Sequence, residues 1–165
     1  MKIQTIAAVL ALLSSAAYAG ETEIVGNVQS KCSIFTETQG VYGAPLPSQL
    51  STDAADGGVQ PRIRFDIASA GYYKAKISTP TSFSTSPSLT DSVAWEGSVS
   101  VEEVTDPAMS VFETNKVQYD NVTEFDLSAA GTVWFSASSK ADYGFGKSFP
   151  GGQYKSIVTA ECIAK

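Results

Sequence analysis

The feature that most constrains the fold is an alternation of apolar and polar side chains with a period of two, repeated in short runs. In one run, Ile63, Phe65 and Ile67 alternate with charged residues, and comparable runs occupy 23–35, 73–78, 95–102, 133–137 and 154–162. Successive side chains of a strand point to opposite faces, so these runs predict strands with one buried face. No long segment shows apolar residues at helical spacing.

Turn signals built from Gly, Pro and Asp separate the predicted strands, as at 43–45, 56–58, 106–107 and 150–152. Short alternating strands joined by such turns are typical of antiparallel sheets with one solvated face. We therefore predict an all-β fold, an immunoglobulin-like antiparallel sandwich of two sheets. A jelly roll or a small barrel is the alternative.

Residues 1–19 have the features of a secretory signal peptide. Lys2 gives a positive start, an apolar stretch follows over 6–13, and Ala17 and Ala19 form a small-residue cleavage motif. The apolar stretch is too short to span a membrane, which takes about 20 residues. We expect export, cleavage after Ala19 and a single domain over 20–165. The expected location is the periplasm, the cell surface or an extracellular filament.

The chain has two cysteines, Cys32 and Cys162. In an oxidising compartment the only intramolecular pairing joins them. Each shares the parity of the apolar residues in its own predicted strand, so both thiols are expected to point inward. The sequence thus predicts a disulfide between the first and last strands. Two free thiols or a catalytic cysteine are disfavoured, because there is no histidine to activate a thiolate.

Composition argues against several functions. The formal charge of −6 gives no basic surface for nucleic acid, and the absence of histidine removes the commonest general base and metal ligand. Glu124 and Asp126 could share a strand face, whereas the adjacent Glu102 and Glu103 should face opposite sides. Asp53 begins an Asp-Gly-rich segment that is better explained as a turn than as a calcium loop. We predict no enzyme activity, no catalytic or metal site and no cofactor.

The segment 142–152 is the most function-like loop, since aromatic residues and glycines alternate in it. Tyr143, Phe145 and Phe149 could stack on sugar rings or insert into a partner. The competing interpretation is that these rings fold back and close one end of the core. Trp95 and Trp134 lie within predicted strands and are expected in the core.

Three segments carry a resemblance to secreted bacterial pilin-type β-sandwiches, the group that includes spore coat U and archaic chaperone–usher pilins. Residues 24–34 resemble the opening strand leading to a cysteine, 40–43 resemble the aromatic-Gly turn that follows, and 150–158 resemble the closing strand. The resemblance implies a fimbrial subunit that assembles by β-strand addition. Its donor face would consist of Thr22, Ile24, Gly26 and Val28. The alternative is that this segment is the first strand of its own domain.

The expected function is that of a secreted structural or adhesive protein of a bacterial surface, pilin-like and homo-oligomeric, whose partners are other protein subunits or surface glycans. The alternative is a monomeric extracellular or periplasmic module that binds a glycan or a protein through the 143–149 loop.

Overall fold

Ten strands in two antiparallel sheets make up residues 32–165, the part of the chain that the computed structural model describes. The predicted two-sheet β-sandwich is confirmed. The predicted signal peptide and the donor-face residues Thr22, Ile24, Gly26 and Val28 lie outside the described residues. Within 32–165, no helix is long and apolar enough to cross a membrane.

The strands are β1 (Cys32–Thr38), β2 (Gly43–Leu46), β3 (Gln49–Ser51), β4 (Arg62–Ile67), β5 (Tyr73–Ser78), β6 (Ala94–Val104), β7 (Val117–Tyr119), β8 (Val122–Asp126), β9 (Gly131–Asp142) and β10 (Thr159–Ala164). Two 3-10 helices, Ala54–Asp56 and Pro107–Ser110, and the one-turn helix α1 (Val111–Thr114) lie in the connections. The first of these helices follows Asp53, so the Asp-Gly-rich segment is a turn.

The long strand β9 organises the first sheet. One edge of β9 pairs with β6 over nearly its whole length, and the other edge pairs first with β4 and then with β3. β1 extends the sheet beyond β4, and β2 extends it beyond β3. The second sheet has the order β10-β5-β8-β7. β1 and β10 therefore lie along one side of the sandwich, and β6 and β7 along the other.

The order of the described strands matches an immunoglobulin-like domain in which these strands leave one position unfilled. β1, β4, β9 and β6 follow the order A-B-E-D of one immunoglobulin sheet, and β10 beside β5 follows F beside C of the other. The β7–β8 hairpin takes the remaining edge of β5. In the immunoglobulin arrangement strand G lies beside F, and no described strand takes that place beside β10.

Inward residues of both sheets form the core, as the alternation predicts. The buried positions of β4 alternate strictly with its charged ones, and Phe65, Phe125 and Phe135 are fully buried. The Phe65 and Phe135 rings meet edge to face at 5.2 Å, and Phe125 lies 4.4 Å from Phe135. Burying an aromatic or large aliphatic side chain contributes about 1.5–3 kcal/mol, so each of these rings contributes substantially to the stability of the core.

Two expectations about the first sheet need correction. A β-bulge between Val101 and Glu103 brings both Glu102 and Glu103 against Arg62, so they do not face opposite sides. Trp134 follows buried Val133 and therefore points to the outer face, where its Nε1 donates to Glu37 at 2.8 Å.

The last strand begins later than the alternation suggests. β10 starts at Thr159, and residues 152–158 run outside the sheet, with one isolated bridge between Thr85 and Lys155. The partner strand β5 ends at Ser78 and is followed by Pro80, which has no N–H to continue the ladder.

Candidate functional site

The side of the sandwich formed by β1 and β10, here named the seam, is closed at one end by the Cys32–Cys162 disulfide. The predicted pairing is confirmed, with the two Cα atoms 6.2 Å apart. Cys32 is opposite Ile67 of β4, and Cys162 is opposite Ala75 of β5. The bridge thus joins the edge strand of one sheet to the edge strand of the other.

Residues 32–165 cover the core only partly along the seam. Most core residues are buried, but the apolar side chains on this side pack against the core and remain partly exposed: Cys32, Ile34, Val158, Ala160 and Cys162. Removing this apolar surface from water would stabilise the domain further. The seam is therefore a place where an additional apolar segment could extend the core.

The outer edge of β10 also carries backbone groups without a strand partner among residues 32–165. The Lys165 N–H donates to Tyr72 O at 3.0 Å, on the side of β5. Hydrogen-bonded and non-hydrogen-bonded pairs alternate along an antiparallel ladder. Ala160, Cys162 and Ala164 therefore direct their N–H and C=O groups away from β5, towards the seam.

β1 has the same arrangement. The Ala137 N–H donates to Pro61 O at 3.2 Å in the β4–β9 ladder. The alternation then directs the backbone groups of Cys32, Ile34 and Thr36 away from β4 and towards the seam. Both edges of the seam are thus in a position to accept a strand.

The seam widens into a groove at the end away from the disulfide. The groove has a volume of about 860 Å³ and lies between the end of β1 and the segment 152–158. Leu50, Ile63 and Val158 give it an apolar lining, and Tyr42 crosses it. The Tyr42 hydroxyl is 3.0 Å from Ser139 Oγ and 2.6 Å from Ser156 Oγ, so it connects the first sheet to the 152–158 segment.

The three aromatic residues of the predicted binding loop lie in two different environments. Tyr143 is buried and stacks on the half-buried Phe149 with ring centroids 5.1 Å apart, and Thr90 N–H donates to the Tyr143 hydroxyl at 2.9 Å. Hydrogen bonding by Thr90 lowers the pKa of Tyr143. Phe145 is fully exposed. Of the three predicted residues, one points to solvent and two pack inward.

Tyr143 and Phe149 belong to an aromatic cluster at one end of the sandwich, together with Phe83, Trp95 and Tyr154. Phe83 lies 4.7 Å from Trp95, 5.0 Å from Tyr154 and 5.9 Å from Phe149 between ring centroids. Burial raises the pKa of Tyr154. The cluster fixes the 79–93 loop against the segment 143–154 and so shapes the wall of the groove.

The paired carboxylates of β8 each have a cationic partner. Glu124 accepts from the Tyr119 hydroxyl at 2.8 Å and lies 3.5 Å from Lys74 Nζ, and Asp126 forms an ion pair with Lys165. The Tyr119 hydrogen bond, supported by Lys74, holds the pKa of Glu124 below its usual value. Both groups lie on the outer face of the second sheet, away from the groove.

Sequence reasoning missed the seam and Tyr42. The signal for the seam was available: after the long run 133–142 only one further strand follows, one fewer than a complete immunoglobulin-like order needs. Tyr42 belongs to the predicted aromatic-Gly turn 40–43, but its contacts could not be predicted, because its partners Ser139 and Ser156 are far away along the chain. Comparison of the chain with protein-family models, curated proteins and solved structures gives no match, so its function is inferred from geometry.

Proposed function

We propose that this protein is a secreted structural subunit that assembles by β-strand addition, with residues 22–28 of one copy occupying the seam of the next. The observation that carries the proposal is the seam itself, where open strand edges coincide with partly exposed core residues such as Ile34 and Ala160. A strand placed there would supply main-chain hydrogen bonds to the edge and apolar side chains to the core.

The disulfide defines where such a strand fits. A strand paired on both sides needs about 10 Å between its two neighbours. Cys32 and Cys162 are only 6.2 Å apart between Cα atoms, so no strand passes at that point. The added strand therefore occupies the groove and the part of the seam near Ala160.

Chain direction favours a neighbouring copy as the source of the strand. β1 begins at Cys32, at the disulfide end, and runs towards the groove. Residues 20–31 join the domain at Cys32, so they would have to reverse direction to reach their own groove. If the groove of a second copy lies in line beyond Cys32, residues 20–31 reach it without reversing direction. Repetition of this contact gives a head-to-tail filament.

Pattern and charge complementarity support residues 22–28 as the occupant. Thr22, Ile24, Gly26 and Val28 share one parity, and the segment also carries Glu23. Lys155 is the one charged residue that the described groove lining contains. An alternating segment with apolar residues on one face and a carboxylate on the other matches an apolar groove with a single cation at its wall.

The proposal is tested on the exported, signal-cleaved chain by light scattering after gel filtration and by negative-stain microscopy. The wild type should form linear oligomers. Ile24→Asp places a charge on the donor face and should give monomers with unchanged thermal unfolding, because the substitution removes a contact made between copies. Burying such an aliphatic side chain is worth about 1.5–3 kcal/mol, enough to reduce association at least roughly tenfold.

Val25→Asp is the matched control, since it introduces the same charge one residue away on the opposite parity, and it should assemble like the wild type. Two results contradict the proposal. One is a wild type that stays monomeric; the other is an Ile24→Asp monomer with lowered thermal stability, which would mean that the segment completes its own domain.

A second candidate function, a glycan-binding module, is supported by Phe145. This ring is fully exposed between Gly144 and Gly146, whose positive φ angles of 98° and 75° form the loop tip. Exposed aromatic rings on such loops can stack on sugars. Phe145→Ala should keep the stability of the wild type and lose binding on a glycan array.

Phe149→Ala is the comparison variant, because Phe149 packs in the aromatic cluster and its truncation should lower stability. A Phe145→Ala variant that binds the same glycans as the wild type, or a wild type that binds none, removes this candidate.

A further inference from the structure

The edge of β6 on the opposite side of the sandwich is covered by side chains. β6 pairs with β9 on one edge, and within residues 32–165 no strand pairs with the other. The backbone groups of Gly97, Val99 and Val101 point to that open edge. A long strand with such groups exposed is a template for pairing with another chain.

One backbone group of each of these three residues has a side-chain partner of the complementary type. The Val101 N–H donates to Glu113 Oε2 at 2.8 Å. Val99 O accepts from Lys116 Nζ at 3.0 Å, and Gly97 O accepts from Gln118 Nε2 at 3.1 Å.

The three side chains come from one stretch of chain, 113–118, at the end of α1 and in β7. Glu113 and Lys116 also form an ion pair with each other, which fixes their positions. β7 pairs with β8, so the stretch is held by the second sheet and crosses to the first. It closes the β6–β7 side of the sandwich, whereas the seam on the other side has no such cover among the described residues.

We propose that Glu113, Lys116 and Gln118 are specificity-determining residues that exclude an added strand from the open edge of β6 and so direct strand addition to the seam. In their absence, the β6 edge would accept a β6 edge or another extended segment of a second copy. The inference rests on the proposed assembly and deepens it, since excluding strands from β6 removes one site at which a filament would branch, but the exclusion at β6 can be measured whether or not the seam is used.

The test uses the full chain carrying Ile24→Asp, so that donation to the seam is disabled. Adding Glu113→Ala, Lys116→Ala and Gln118→Ala should turn a monomer into a species that associates with rising concentration in sedimentation velocity. The matched control changes the same residue types elsewhere, through Glu161→Ala, Lys76→Ala and Gln153→Ala, and should stay monomeric. A folded triple variant at β6 that stays monomeric overturns the inference.

A second measurement covers the case in which the triple variant does not fold. Glu113→Gln keeps an acceptor oxygen for the Val101 N–H, whereas Glu113→Ala removes it. Amide exchange at Val101 should be close to the wild-type rate in the first variant and about tenfold faster in the second, the ratio expected for losing a hydrogen bond to a charged group. Equal rates in both variants overturn the inference.

The outcomes separate this inference from the proposed function. If the wild type is monomeric but the β6 variant associates, the seam proposal fails and the edge exclusion stands. If the wild type assembles through the seam and the triple variant at Glu113, Lys116 and Gln118 gains no new contact, only the proposed exclusion of strands from β6 fails.

Discussion

Removing the disulfide should cost a third or more of the stability of the domain, on the order of 5 kcal/mol out of about 5–15 kcal/mol. Cys32 and Cys162 are 130 residues apart, so the bridge closes nearly all of the described chain into one loop. In the loop-entropy model a loop of this length reduces the entropy of the unfolded chain by an amount worth about 5 kcal/mol at 25 °C. Domains of this size have total stabilities of about 5–15 kcal/mol.

The assay is urea unfolding of the Cys32→Ser, Cys162→Ser double variant beside the oxidised wild type, followed by circular dichroism. The midpoint should fall strongly, and the slope m should rise, because an unfolded chain without the bridge exposes more surface. Wild type unfolded in the presence of a reductant is the control and should match the double variant. A loss below about 1 kcal/mol would refute the entropic reasoning.

Two further predictions concern stability and pH. Gly97→Ala should lower the free energy of unfolding by about 1–3 kcal/mol, because the added methyl group meets the side chain of Thr79. Gly151→Ala is the control, since an added carbon there meets nothing within 4 Å, and it should leave the melting temperature unchanged. Equal effects of the two substitutions would contradict this prediction. The hydrogen bond from Tyr119 holds the pKa of Glu124 below 4.5, so the stability that this carboxylate contributes is present above that pH and is lost as pH falls through the folded-state pKa. Glu124→Gln should flatten the acid side of the melting curve against pH, and an unchanged slope would exclude the pair as its cause.

Much of the fold could be predicted because the alternation in the sequence reports burial directly. Residues 62–67 lie in a strand with one buried face, and the alternation of apolar and charged residues in this segment indicates such a strand without ambiguity. The disulfide could be predicted for a similar reason, since two inward cysteines in a chain that is expected to be exported have one pairing. These inferences depend on local pattern and on redox environment, both of which the sequence contains.

The remaining features depend on contacts between distant segments. The position of Glu102 and Glu103 follows from a bulge opposite Trp134, which no local pattern marks. Trp134 itself could have been placed correctly, because its neighbours Val133 and Phe135 have the inward parity. Its size suggested burial, but Arg62 stacks over the ring at 5.3 Å on the outer face.

The candidate site was the least predictable part. The 143–149 loop is rich in aromatic residues, a composition that predicts a binding loop, yet Tyr143 and Phe149 pack at the end of the sandwich. The seam is the side of the sandwich where the described strand order leaves two strand edges unpaired. Strand order depends on pairing between distant segments, which the sequence pattern does not reveal. The edge cover at β6 likewise depends on hydrogen bonds between segments that are 12–21 residues apart.

The position of the disulfide has a mechanical consequence for a filament built as proposed. Tension would enter each domain at Cys32, where residues 20–31 attach, and would leave through the seam, where the next copy's strand is held. The bond from Cys32 to Cys162 joins the entry point covalently to β10, which forms one edge of the seam. Pulling force would therefore pass from one copy to the next along the edge of the sandwich, and the packed core around Phe65 and Phe135 would bear little of the load.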